Sequence, residues 1–234
     1  MSDYFVYNGT DSRDFGIVIF EGDTFGAPQH EYDTYSIPGR NGALYLDGRR
    51  FPNKAHRYEC VIYDNFEQNL DDFRNFILSQ KGYKRLEDTL HPDEFYEAVY
   101  ANDFLLVMDR ERSMGKFSLE FDRKPQRFLK IGENTIDLTS NGNIANTTLF
   151  DAQPLIRVYG TGTLGIGDNA IKVNECDVYV DIDCALMEAY KGAVSYNDSI
   201  EIQNIDFPVL EPGNNAITLT GITRATFTPR WYKL

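Results

Sequence analysis

Apolar and polar residues alternate along most of this chain. Residues 56–63 show it best: Tyr58, Cys60 and Ile62 interleave with Arg57, Glu59 and Val61. That is the period of a strand with one buried face. Shorter runs at 4–7, 15–20 and 32–37 also read as strands. The first ends in the turn pair Asn8-Gly9 and the third at Pro38-Gly39, with Asn41-Gly42 close behind. Residues 21–31 hold Gly22, Gly26 and Pro28 and read as a loop. Further on, 83–86 and 95–100 flank a turn at His91-Pro92-Asp93-Glu94, and 104–110 is set to pair with 116–122 around Ser113-Met114-Gly115. One stretch changes period. Over 68–81, Leu70, Phe73, Phe76 and Ile77 fall on a single helical face, with Lys81 in the last turn and Gly82 as the residue that closes it.

The second half has a different texture. Residues 131–150 are rich in Asn, Thr, Gly and Ser. Short strands then follow at 155–159, 170–173, 178–182, 199–202, 216–219 and 225–229, separated by turn signals and with no helical period. That spacing is the pattern of a β-sandwich. The boundary falls near 128–133, giving a first domain over 1–130 and a second over 131–234. The predicted class is mainly β with one helix in the first domain (α+β): a sandwich-like first domain, then a β-sandwich.

Composition supports this reading. Of 234 residues, 42% are hydrophobic and 25% charged, which suits a globular chain and excludes a disordered one. Tyr and Phe number 15 and 16, and both favour half-buried pleated surfaces. Charge narrows the partners. The net value of −13 argues against holding free DNA or an anionic membrane, because phosphate binding needs a basic surface. The acid is spread, with −6 over 1–130 (17 basic, 23 acidic) and −7 over 131–234 (6 basic, 13 acidic). No apolar run approaches the ~20 residues of a membrane helix. The opening Met-Ser-Asp-Tyr lacks a basic and apolar leader, so a cytoplasmic origin is expected. Cys60, Cys176 and Cys184 are odd in number and carry no CxxC spacing, which predicts neither a disulfide framework nor a zinc site.

Candidate chemistry is sparse. Gly160-Thr161-Gly162-Thr163-Leu164-Gly165 fits the dinucleotide fingerprint and follows a strand. A pyrophosphate site needs a helix N-terminus next, however, and Ile166-Gly167-Asp168-Asn169 is a turn leading to another strand. The glycines therefore read as hairpin punctuation. Asp177, Asp181 and Asp183 sit at even spacing, which predicts one exposed strand face with Val178, Val180 and Ile182 on the other. His30, His56 and His91 sit beside turns or strand ends in no metal-binding pattern and read as surface or satisfied loop histidines. No nucleophile signature and no paired acid is present, so the chain reads as no enzyme, with no cofactor and no metal. Arg40, Arg49 and Arg50 surround a glycine-rich turn and suit either a solvated loop or an intersubunit ion pair.

Several local patterns occur together in one order. An aromatic opening strand ends in Asn8-Gly9, then comes Ser12-Arg13-Asp14-Phe15-Gly16-Ile17, then Ile37-Pro38-Gly39-Arg40-Asn41-Gly42. The amphipathic helix follows, then Arg85-Leu86-Glu87-Asp88, and a run from Phe117-Ser118-Leu119-Glu120-Phe121 to Asp122-Arg123-Lys124-Pro125-Gln126-Arg127-Phe128. Asp206-Phe207-Pro208-Val209-Leu210-Glu211-Pro212-Gly213 and Pro229-Arg230-Trp231 complete it. Taken together the chain resembles the distal tail protein (Dit) family of long-tailed, non-contractile bacteriophages, the siphovirus tail component family. It carries neither the long arm insertion nor the inserted carbohydrate-binding module found in some relatives.

The resemblance implies a first domain that assembles as a homo-hexameric ring at the tail tip, and a galectin-like second sandwich on the ring's outside. It implies as partners the tail tube protein, the tail-associated hub protein and a receptor-binding protein, with DNA only as passing cargo and no membrane. It also implies assembly in the host cytoplasm before release in a virion. Under this reading Gly39, Arg40, Asn41, Gly42, Arg49 and Arg50 are candidates for the ring interface. The rival function is recognition of a host-surface glycan by the second sandwich, with Tyr179, Tyr190, Tyr196 and Trp231 as stacking platforms. Trp231, close to the end of the sequence, is as well placed in a core.

Overall fold

Alternation over Lys54–Tyr63 places His56, Tyr58, Cys60 and Ile62 inward, and this ten-residue strand is the spine of the first half. The chain is described here from a computed structural model covering residues 2–22, 26–63, 66–108 and 114–234. It divides into two compact units, one reaching Arg127 and including Leu234, the other Phe128–Lys233.

The first unit is built on one antiparallel sheet. In spatial order its strands are Thr10–Asp11, Phe5–Tyr7, Lys84–Asp88, Glu94–Val99, Met114–Arg123, Lys54–Tyr63 and Ile17–Gly22. Met114–Arg123 pairs along its whole length with Lys54–Tyr63, but with Glu94–Val99 only through Asp122↔Val99 and Arg123↔Ala98. The short strand Val107–Met108 pairs with Gly115 and Lys116. The hairpin expected between 104–110 and 116–122 is thus reduced to two residue pairs, because the long strand's ladder is taken up by Lys54–Tyr63. The tip of that connection, 109–113, lies outside the described residues, as do 23–25 of the loop expected at 21–31.

The helix spans Phe66–Ser79, two residues earlier at each end than its periodicity suggested. Its buried face is Phe66, Leu70, Phe73 and Ile77. It stops before Gly82 because Ser79 Oγ (2.7 Å) and Gln80 Nε2 (3.1 Å) donate to the Phe76 carbonyl, satisfying a last-turn acceptor. Phe15, expected in a strand, instead ends a 3-10 turn at Ser12–Phe15 whose N-terminus is capped by Asp11. The core between helix and sheet is aromatic. Phe5 stacks on Tyr58 at 5.5 Å, Tyr7 leans on Phe121 at 4.8 Å, and Phe73 meets Phe5 and Phe15 edge-on.

The second unit is a sandwich of two antiparallel sheets. One runs Ile136–Leu138, Arg224–Thr228, Leu155–Tyr159, Val180–Asp183, Glu188–Lys191, Val194–Ser195. The other runs Gly142–Asn146, Gly213–Thr220, Gly162–Ile166, Asn169–Val173, Ile200–Ile202. Its core is mostly aliphatic: Ile156, Val158 and Ile182 from one sheet share a buried cluster with Ile144, Leu164, Ile171 and Ile217 from the other. The glycine-rich hexad contains the strand Gly162–Ile166, which turns at Gly167-Asp168 into Asn169–Val173. A Cβ on Gly162 would collide with the Thr220 carbonyl of the neighbouring strand, and its φ of +143° suits glycine alone. That glycine serves strand packing and not a phosphate.

Candidate functional site

Pro38-Gly39 and Asn41-Gly42 bend the chain into a hairpin of Tyr32–Ser36 against Ala43–Asp47. Gly39 and Gly42 take φ of +79° and +83° at its tip, where a Cβ would meet nothing, so backbone conformation and not space demands glycine. The Arg40 amide donates to the Ile37 carbonyl at 3.1 Å and closes the turn. At the base, Arg50 pairs with Glu31, and the Arg49 amide donates to Asp47 Oδ1 at 2.7 Å.

Every position of both hairpin strands is exposed. The register puts Tyr35, Leu44 and Leu46 on one face and Tyr32 and Tyr45 on the other. Tyr45 is 63% exposed and Tyr35 52%. No third strand joins either edge among the described residues. A lone two-stranded ribbon is at best marginally stable in water, and clustered exposed apolar side chains mark contact surfaces. Burying side chains of this size in a partner would contribute about 1.5–3 kcal/mol each. Of the six residues named from sequence, Gly39, Arg40, Asn41 and Gly42 lie together at the tip. Arg49 and Arg50 lie five residue pairs away, at the base. Arg50 has an ion partner within the chain, while Arg40 has none among the described residues.

The four aromatic residues suggested for a glycan do not form one platform. Trp231 is buried in the sandwich core, 8% exposed, its amide group packed against Gly132. Tyr196 lies half-buried against the same core. The Tyr179 ring is covered by two cations, with the Arg157 guanidinium 4.2 Å and Lys191 Nζ 5.5 Å from its centre. Tyr190 sits opposite Asp181 on the adjoining strand.

The aspartates around that face differ from the exposed row their spacing suggested. Val180–Asp183 is buried throughout. Arg157 grips Asp181 with two bonds of 2.6 and 2.8 Å, and Arg230 grips Asp183 with 2.7 and 2.8 Å. Burial opposes the Asp183 charge, but the paired Arg230 outweighs it and holds the carboxyl below its usual range. Bidentate arginine is what lets both faces of this strand go under cover.

Sequence reading missed a buried polar cluster in the first unit. Asp88 accepts from Tyr58 Oη at 2.7 Å and from the His91 amide at 2.7 Å, and the His91 ring lies 3.1 Å away. His56 Nε2 is 3.6 Å from Asp88 Oδ2, a charge contact too long for a hydrogen bond. Burial would raise the Asp88 carboxyl, yet its donors and the facing rings hold it at about 2. Burial pushes His56 below its ordinary value. Only the odd polar residue at an inward position of an alternating strand, His56, could have signalled this cluster. No three metal-ligating side chains come together among the described residues, and no helix is long and apolar enough to cross a membrane.

Comparison with known proteins fits this architecture. Residues 7–122 match the family described as the phage tail protein RIFT-related domain. The crystal structure of SPP1 Dit, described as a paradigm of hub adsorption apparatus in Gram-positive infecting phages, superposes with a TM-score of 0.76. It shares 16% identity, and the match covers 100% of both chains. The phage P2 baseplate in its activated conformation with Ca gives 0.59 at 14% identity, and the Sr form 0.57 at 13%, each over 97% of both chains. At such identities the likeness is one of fold. No curated protein sequence matches.

Proposed function

We propose, from the premise that residues 7–122 belong to the phage tail RIFT-related domain family and that the chain has the Dit fold, that this protein is the ring-forming hub of a siphophage tail tip. A structural role in the phage tail or baseplate follows from the family; the ring is our reading. Six copies of the first unit close head to tail, joining the tail tube to the hub protein below and leaving a channel for DNA. The chain acts as a structural part and not as an enzyme. It assembles in the host cytoplasm and travels in the virion.

The observation that carries this reading is the fully exposed hairpin with its apolar side chains. Ring closure by a heterologous contact needs a projecting element that meets a different surface on the next copy. An open-edged ribbon offers backbone groups for strand addition and side chains for specificity. The acidic balance suits a channel, since a basic lining would retain DNA instead of letting it slide.

Light scattering and negative-stain microscopy of the purified chain test the ring. Wild type is expected as a hexamer, with Leu44→Glu and Arg40→Ala folded but predominantly monomeric. Normal hexamers from both variants would remove the hairpin from the interface. The same preparation should leave a DNA column at low salt without retention; tight, salt-sensitive binding would overturn the passive channel.

A further inference from the structure

A cleft of about 790 Å³ opens at one end of the second unit. It lies between the Gly167-Asp168 turn and the segment 203–209, a size typical of small-molecule sites. The walls are held by three contacts. Gln203 N–H donates to the Ala170 carbonyl at 2.9 Å, Asn169 Nδ2 to the Asp206 carbonyl at 2.9 Å, and the Gly167 amide to the Ala216 carbonyl at 2.9 Å. These bonds use backbone acceptors, so the carboxylates of Asp168 and Asp206 remain available to a ligand. Asn204, Glu211 and Phe207 complete the lining used here.

The lining narrows the ligand. It contains three carboxylates and no Lys, Arg or His, which disfavours phosphates, nucleic acid and acidic headgroups. A resident metal ion does not fit, because no three ligating groups converge among the described residues. What remains is a ligand rich in hydroxyl donors. Carboxylate and amide side chains accept from and donate to adjacent hydroxyls, and the Phe207 ring and the fully exposed Ile205 offer an apolar surface for C–H faces. We propose that this cleft is a binding site for a neutral saccharide. It is distinct from the tyrosines around Arg157 and lies within one unit, so it does not depend on ring assembly.

Saturation-transfer NMR on the full chain tests this, with glucose, galactose, N-acetylglucosamine and N-acetylgalactosamine as probes. Glycerol phosphate and trilysine serve as charged controls. Transfer to at least one neutral sugar is expected, none to glycerol phosphate, and at least a tenfold weaker affinity for that sugar in the Asp168→Ala/Asp206→Ala double variant. Both positions are exposed, so an unchanged melting temperature should accompany the loss. Absence of transfer from all four sugars, or transfer undiminished in the double variant, would overturn the proposal. So would binding of trilysine alone.

Discussion

The two units reach the same end, a covered β-sheet core, by different chemistry. The first fills its interior with Phe5, Tyr7, Tyr58, Phe73, Phe117 and Phe121, and keeps one carboxylate, Asp88, under cover with hydroxyl and imidazole partners. The second fills its interior with Ile, Val and Leu, and keeps Asp181 and Asp183 beneath arginines that reach solvent. Aromatic rings are large, rigid blocks whose edges and faces must match, so the first core tolerates little loss of volume. Aliphatic side chains interdigitate in smaller steps. The difference also tracks exposure: the first unit projects the open hairpin, whereas no comparably exposed apolar strand pair stands out in the second among its described residues.

Core truncation should separate the two units most strongly. Phe121→Ala, which removes a ring touching Phe5, Tyr7, Tyr58 and Tyr100, should cost about 3–5 kcal/mol. Ile156→Val in the sandwich should cost about 0.5–1.5 kcal/mol. Urea unfolding read through hydrogen exchange of each unit's amides gives both values; equal losses would erase the distinction drawn between the cores.

Next are the buried acids. Asp88→Ala strands the Tyr58 hydroxyl and the His91 amide, at about 1–3 kcal/mol for each buried group left unsatisfied. Asp183→Ala should cost less, because the Arg230 side chain is 30% exposed and can turn to water. Thermal melts of the two variants decide it, and a larger loss for Asp183→Ala would reverse the ranking.

The smallest effect is pH dependence. All three histidines lie in the first unit. Folded His56 resists protonation while the unfolded chain accepts a proton below about pH 6.5, so stability drains as pH falls through that value. Asp88, lowered from 3.8 to about 2, adds a second loss as pH falls through that lower window. The second unit has no histidine, so it should hold its stability until the carboxylate range, where Asp183 begins to lose its Arg230-supported advantage. Hydrogen exchange compared on either side of the ordinary histidine value should show the first unit weakening alone, with His56→Gln flattening the response. Parallel weakening of both units would contradict it.

Much of the architecture is legible in local pattern. Period two gives Lys54–Tyr63, period 3.6 gives the helix face of Leu70, Phe73 and Ile77, and turn dipeptides give the 32–47 hairpin. Leu155–Tyr159 is readable to the residue. Where local pattern misled, a long-range partner intervened. Asp181 and Asp183 look exposed by alternation, but Arg157 and Arg230, distant in sequence, cover them. The strand Gly162–Ile166 hides inside a glycine-rich hexad because the glycines answer to Thr220 on a neighbouring strand. The helix ends early through two side chains bonding one carbonyl, a choice that periodicity does not encode.

By itself, then, the sequence determines which elements form, where the two units part and what charge the surface carries, because these depend on side-chain period and composition. Only the tertiary structure decides that the hairpin stands uncovered, that Trp231 is interior and that Asp88 gathers its partners. Each of those is a fact about surfaces meeting across long sequence separations, and solvent exclusion at such a meeting is a property of no single segment.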